Sequence, residues 1–466
     1  MSTDETQSDL NRAIPRVSGF ISGSSLIQRV IRSSAITVMG FGFSQAMRFA
    51  TNLVLTRILF PEAFGMMALV SVFLMGLAMF SDVGVGPAIM QSKRGDEEDF
   101  LNTAWTIQIM RGVALWLVAC GFAYPMALFY EAPELIYLLP VAAMTLLING
   151  FLPTRVESAN RHLLAGRVTI VDMITQTVGV VSAVALAWVT QSVWALVLSG
   201  IFSAITQVLL FGAVLPGVRN KLKWEPAAAA ELINFGKWIF LSTICGFLIN
   251  QSDKVILGKY LALDNFGVYN IGFFLASFPM LLGGVVTRRV LIPIYRESPP
   301  SASRENFLQL RKMRFAATAA LLGLLGVMAF SGVWLIHLLY DTRYAAAGAI
   351  VVMIACAQMP MAIVLTYDQA ALASGNSRRF FVLAALRAIF MIGGLLVGLE
   401  IAGLFGALVS QGVAMIAVYP AVVWLVRGLG AWDPLHDAIF ALVAAGICAA
   451  AVYFNWDAVQ LISAAV

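Results

Sequence analysis

Apolar stretches of roughly 20 residues, the length needed to cross a bilayer as a helix, recur from residue 34 to residue 454 of this chain. In lipid only helices and closed barrels satisfy their own backbone, and these stretches lack the two-residue alternation of barrel strands. The pattern predicts a polytopic, all-α membrane protein. Thirteen spans are expected, over 34–56, 64–90, 102–124, 134–153, 168–189, 193–215, 232–257, 265–287, 315–338, 345–373, 380–400, 403–425 and 436–454. Composition agrees. The chain is 60% hydrophobic and 12% charged, against about 25% charged in a soluble domain.

The bases fix the orientation. With the N-terminus inside, 22 of the 30 Lys and Arg fall in inner segments and 3 in outer loops, Arg57, Lys259 and Arg343. That bias is the positive-inside rule, and an error of one span would scramble it. The net charge of +5 therefore reports topology and gives no reason to expect a nucleic-acid partner. Residues 1–32 are polar and Ser-rich, without the apolar core of a cleaved signal peptide, and read as a cytosolic tail. Cys120, Cys245, Cys356 and Cys448 all lie in apolar runs and read as packing residues. His162, His337 and His436 show no metal-ligand spacing.

One phrase is written twice. "TRILFPEAFG" at 56–65 and "GKYLALDNFG" at 258–267 stand 202 positions apart. The offset aligns Arg57 with Lys259, Glu62 with Asp264 and Gly65 with Gly267, and lays spans 1 and 2 on spans 7 and 8. Six spans separate the copies, so both face outward in the same sense. This predicts parallel repeats about an axis along the membrane normal. Locally the phrase is a helix-hairpin corner: a base at the negative helix end, an acid at the positive one, and a glycine permitting close contact.

"LTRILFPEAFGMMALV", "FSDVGVGPAIMQ" and "LNTAWTIQIMRG" resemble the N-terminal half of the polysaccharide-transporter branch of the MOP exporter superfamily, the Wzx-type flippases. "GFLPTRVESANRHLLAGR", "QSDKVILGKYLALDNFGVYNIG" and "RRVLIPIYRE" are similar to later parts of the pattern. The resemblance spans about residues 30–430 and is strongest to colanic-acid and succinoglycan type exporters. It implies two six-helix lobes in a V, and the flipping of undecaprenyl-diphosphate-linked oligosaccharide from the inner to the outer leaflet. The expected organisation is a tail (1–32), an N-lobe (33–215), a cytosolic linker (216–231), a C-lobe (232–428) and an extra span with tail (429–466).

Five bases fall within spans: Arg48, Arg111, Lys237, Lys254 and Arg387. A charge at mid-bilayer costs about 2.5–3.5 kcal/mol on insertion scales, so it must face protein or water. A diphosphate cargo needs such bases. Arg48, Arg111 and Lys254 are the candidate diphosphate ligands, with Arg48 and the Asp253/Lys254 pair expected to face each other. Arg111 reads equally as a contact within one lobe, and Lys237 and Arg387 as residues that snorkel. Asp253 is a candidate for charge pairing or for binding a coupling ion. Asp82 and Asp368 read as helix caps or partners of loop bases. Pro360 predicts a kink in span 10 and a candidate hinge.

The resulting expectation is a secondary transporter of the bacterial inner membrane, a flippase for exopolysaccharide or lipopolysaccharide synthesis working by alternating access. No nucleotide-binding loop is present and no cofactor or metal is expected. Expected partners are the lipid-linked oligosaccharide, membrane lipids and a polysaccharide polymerase or export machinery, with the chain a monomer. A MATE-like drug/ion antiporter and a lipid II flippase remain alternatives within transport. A membrane-embedded polymerase or ligase is the alternative of another class, for which the short outer loops offer no platform.

Overall fold

The computed structural model describes residues 26–81, 84–162, 164–373 and 377–464. Within these, side chains are described outside 26–38, 165, 235–242, 288–290, 292–293, 296, 369–373, 377–380 and 463–464. The expectations for most of the N-terminal tail, for Asp82 and for the side chain of Lys237 lie outside the described residues.

Every regular element among the described residues is helical. The first lobe contains α1 (Leu26–Ile58), α2 (Pro61–Phe80), α3 (Val85–Gln91), α4 (Glu98–Phe129), α5 (Leu135–Gly150), α6 (Arg155–Arg161), α7 (Ala165–Thr190) and α8 (Trp194–Val214). The second contains α9 (Pro226–Tyr260), α10 (Leu263–Ala276), α11 (Phe278–Glu297), α12 (Arg304–Leu339), α13 (Ala347–Ala373) and α14 (Ser377–Arg427). Then come α15 (Pro434–Phe454) and α16 (Trp456–Ala464). Eight helices among the described residues are long and apolar enough to cross a bilayer, or ten if two bent pairs each form one span. Those pairs are α5 with α6, bent by 58°, and α10 with the start of α11, bent by 41°. The 51-residue α14 breaks at Ala402 and Gly403, and Gly403 has φ 55°, a backbone that glycine adopts without penalty. With α1, α9 and the two halves of α14, each of the thirteen expected spans falls on a helix.

The duplication is visible in the helix boundaries. α1 ends at Ile58 and α9 at Tyr260; α2 begins at Pro61 and α10 at Leu263. Both pairs keep the offset of the repeated phrase. Each lobe also divides its second span between two helices: α2 ends at Phe80 and α3 begins at Val85, and α10 ends at Ala276 and α11 begins at Phe278.

The connection between lobes is pinned rather than loose. Arg155 donates to the carbonyls of Gly212, Leu215 and Val218. Asn220 accepts from Thr154 N and donates to its hydroxyl. Backbone amides of Lys221, Lys223 and Glu225 donate to side chains of Asn102, Thr106 and Thr103 on α4. α9 begins at Pro226, inside the expected linker. Its first turns bury Ala228, Ala229 and Leu232 among Ile89, Phe100 and Ala104 of the first lobe. Its C-terminal end packs in the core that joins the two lobes, through Leu257. One helix therefore belongs to the first lobe at its N-terminal end and to both lobes at its C-terminal end.

α15 packs on α12 and α13, and α16 buries Val459 and Ile462 against Leu404, Ala407 and Leu408. α13 runs unbroken through Pro360, so the backbone breaks of the C-lobe lie elsewhere, at Ser277 and Gly403. The four cysteines are free thiols.

Candidate functional site

The intramembrane bases have separate environments. Arg48 is exposed on α1, with no hydrogen-bond or ion-pair partner among the described residues. One turn further on, Asn52 accepts a 2.9 Å hydrogen bond from Tyr340 of the second lobe. Residues four apart share a helix face, so Arg48 lies on the face α1 turns to the opposite lobe.

Lys254 lies on α9, largely shielded, with its ammonium 4.0 Å from the centre of the Phe273 ring and 3.8 Å from Asp253 Oδ2. Asp253 is buried, and its Oδ2 accepts a 2.6 Å hydrogen bond from Tyr269. Pairing and the aromatic face offset the cost of placing these charges at depth. The ammonium retains donors that neither neighbour uses. No described residue bridges Arg48 to this pair.

Arg111 does different work. Its Nη2 donates to Ala78 O at 2.6 Å and its Nε to Ser81 Oγ at 2.9 Å. The guanidinium thus satisfies the negative end of α2 where the second span breaks. This is a contact within the first lobe, one of the two readings open for this residue.

Two predicted roles are revised. Arg387 does not snorkel: it grips Asp368 bidentately, both bonds 2.8 Å, with both residues buried. Asp368 accordingly pairs with a helix arginine and not with a loop base.

A larger polar cluster escaped the sequence reading. Arg314, which sequence counting assigned to an inner segment, is 1% exposed inside the second lobe. Its Nη1 donates to Ala431 O, its Nε to Thr366, and it lies 3.7 Å from Asp437. Asp437 also accepts from Tyr367 and Tyr419 and contacts His436 Nδ1 at 2.8 Å. His436 Nε2 meets Thr318 at 3.0 Å, and Arg311 pairs bidentately with the buried Asp433. The extra span α15 is thereby tied to α12, α13 and α14. The only signal in the sequence was the acid–base composition of "WDPLHD" at the start of that span.

Asp437 and Tyr419 also border an apolar cavity of about 650 Å³ lined by α13, α14 and α15, including Pro360, Cys356 and Cys448. Asp172, in α7, is a further intramembrane acid, within 3.3 Å of Gln207. It too was missed.

Two sets of helices whose boundaries repeat at a 202-residue offset, eight or more of them long and apolar enough to cross a bilayer, define an all-helical polytopic membrane fold. Solved structures share that fold. The chain superimposes with a TM-score of 0.61 at 13% identity on an inward-facing multidrug resistance MATE family transporter of the MOP superfamily, covering 83% of this chain and 95% of that one. It superimposes with a TM-score of 0.63 at 12% identity on the lipid II flippase MurJ in an inward closed conformation, covering 90% and 98%. The polysaccharide biosynthesis protein family matches residues 54–348, and the chain belongs to that family. Among its relatives, the succinoglycan biosynthesis transport protein ExoT of Rhizobium meliloti (strain 1021) is 26% identical over 270 residues, 57% of this chain and 53% of ExoT. The teichuronic acid biosynthesis protein TuaB of Bacillus subtilis (strain 168) is 24% identical over 255 residues, 53% and 52%. The lipopolysaccharide biosynthesis protein WzxC of Escherichia coli (strain K12) is 21% identical over 285 residues, 59% and 56%. The chain thus spans about half the length of the curated relatives it matches.

Proposed function

We propose that this chain flips a diphosphate-linked lipid oligosaccharide across the bacterial inner membrane by alternating access, for exopolysaccharide or lipopolysaccharide synthesis. The observation that carries the reading is Arg48: an exposed arginine on the face that α1 turns to the opposite lobe. Such a charge is costly in lipid and suits a bidentate phosphate ligand. Lys254 supplies the second cation from the other lobe. Arg111 acts alongside them by fixing the break in α2, which keeps the second span in shape. The sugars occupy the space between the lobes, and the lipid tail stays in the bilayer.

The parts fit this work. Residues 33–215 and 232–428 act as the two moving lobes, with the N-terminus cytosolic, and 216–231 joins them. Asp253 holds Lys254 in place and takes up the coupling proton or sodium ion when cargo displaces the lysine. Pro360, beside the cavity in the second lobe, gives α13 one missing backbone hydrogen bond and so a point of bending. The chain works as a monomer and hands its product to a polymerase. The names of ExoT and WzxC, a transport protein and a lipopolysaccharide biosynthesis protein, support this cargo class. A MATE-like exporter of cations would favour unpaired intramembrane acids, whereas Asp253 is paired with Lys254 and Arg48 is an exposed base, which supports an anionic cargo.

Deleting the gene tests the reading. The expected result is accumulation of undecaprenyl-diphosphate-linked oligosaccharide on the inner leaflet and loss of surface polysaccharide. Unchanged lipid-linked intermediates with normal surface polysaccharide, in a strain lacking related exporters, would sink it.

A further inference from the structure

Two stretches of contact between the lobes, at the same end of the molecule, are copies of each other. A Cβ placed on Gly65 would collide with the carbonyl oxygen of Leu263 and lie 3.2 Å from Gly267 N. A Cβ on Gly267 would collide with the carbonyl oxygen of Pro61 and lie 3.1 Å from Gly65 N. Under the 202-residue offset Pro61 corresponds to Leu263 and Gly65 to Gly267. Each contact is therefore the symmetry image of the other, as at a two-fold dimer interface. α2 and α10 touch backbone to backbone there, which only glycine allows.

Around this contact each lobe reaches over the other. From the second lobe, the hydroxyl of Tyr344 donates to Leu59 O at 3.3 Å and that of Tyr340 to Asn52 at 2.9 Å. Arg343 donates to Thr56 O at 3.1 Å and packs over Phe60. From the first lobe, the hydroxyl of Tyr130 donates to Val255 O at 3.3 Å, and Glu131 pairs with Lys259 at 2.6 Å. Both grips come from the loop after the third span of a lobe and seize the end of the other lobe's first span. Glu131 has φ 56°, a left-handed conformation that non-glycine residues adopt at a cost and that is found at switch regions. Beneath the grips, Met66, Leu69 and Val70 form one apolar core with Leu257, Phe266 and Tyr269.

We propose that these elements form a reciprocal outer latch, a glycine-to-glycine helix contact flanked by two crossed loop grips, whose release exposes the space between the lobes to the outside. The proposal rests on the alternating-access reading, in which the outer ends must part. The latch closes through pieces from both halves, so it opens as a unit. Glu131 and Lys259 are its polar, replaceable part, and Gly65 and Gly267 its steric part. Neither part involves the cargo.

The test is a distance measurement that needs no cargo. In a full-length chain with its four cysteines replaced, Glu62→Cys and Asp264→Cys carry spin labels; both positions are exposed at the outer corner. The unmodified latch should give a single short distance in pulsed electron resonance. Gly65→Ala and Gly267→Ala should each raise a longer-distance population at least about tenfold relative to the short one, and to similar extents. Glu131→Lys alters only an exposed side chain, so its fold is safe. It should act in the same direction, and adding Lys259→Glu should restore the short distance. Unchanged distances in all these variants, or a reversed pair that fails to restore, would overturn the latch. If the distances shift as stated while gene deletion leaves lipid-linked intermediates unchanged, the cargo assignment fails and the latch stands.

Discussion

Arg314→Met is expected to destabilise the second lobe by about 3–5 kcal/mol, the cost of removing one partner from a buried charge pair. The substitution keeps most of the side-chain volume, so the loss is electrostatic rather than a cavity. It strips Asp437 of its nearest guanidinium and orphans the carbonyl of Ala431 and the hydroxyl of Thr366. Asp437 would keep the tyrosine hydroxyls and His436 as hydrogen-bonding neighbours but lose its guanidinium partner. Unfolding by denaturant titration in detergent micelles measures the effect. Arg57→Met is the control. Its side chain is exposed near the end of α1, and a change within about 0.5 kcal/mol is expected there. Equal stability of the two variants would mean that the cluster around His436 contributes nothing to holding α15 on the lobe.

That cluster also marks where sequence reasoning stops. Hydropathy marked where the helices fall because a bilayer imposes a common length on its spans, and among the described residues eight to ten of them are long and apolar enough to cross. The repeat was legible because the same corner recurs with the same spacing, and helix boundaries at Ile58 and Tyr260, Pro61 and Leu263, keep that spacing. Arg314 was misread for a physical reason. α12 begins at Arg304 and runs for 36 residues, far longer than a bilayer requires, so its first turns look like loop in a hydropathy window. Thr366 lies 52 positions away on α13, Ala431 and Asp437 lie more than a hundred away at and before the start of the extra span, and only folding brings them together. Asp368 and Arg387 likewise lie on two different helices, α13 and α14, a pairing that spacing alone does not announce. Arg111 stayed open between a cargo ligand and a contact within one lobe because nothing in the sequence revealed that α2 stops at Phe80 and offers it a carbonyl. Conversely, the glycines of the repeated phrase were rightly read as contact points. Their partner, the other copy of the phrase, became visible only in three dimensions.

Lys254→Glu is expected to abolish transport. The lysine is held by Asp253 and by the face of Phe273. On the proposed function, reversal removes the cation that would meet the cargo's diphosphate, and it places a like charge beside the buried Asp253. A charge-assisted hydrogen bond is worth about 1.5–3 kcal/mol, so losing the attraction alone predicts a drop of roughly 10- to 100-fold, and repulsion adds to it. Arg48→Glu should reduce transport by a similar order from the opposite lobe, with less effect on stability, because Arg48 is exposed. Flipping of a lipid-linked oligosaccharide in proteoliposomes gives the rate, and surface expression controls for folding. Lys254→Arg separates the two roles of the site. It keeps the charge for the phosphates but adds bulk against Phe273, so partial activity is expected, well above that of the reversal. Glu400→Lys, exposed in α14 and outside both the buried pair and the latch, should transport normally. If it fails as badly as Lys254→Glu, the loss reflects charge at the outer surface in general, and the case for a diphosphate site between the lobes collapses.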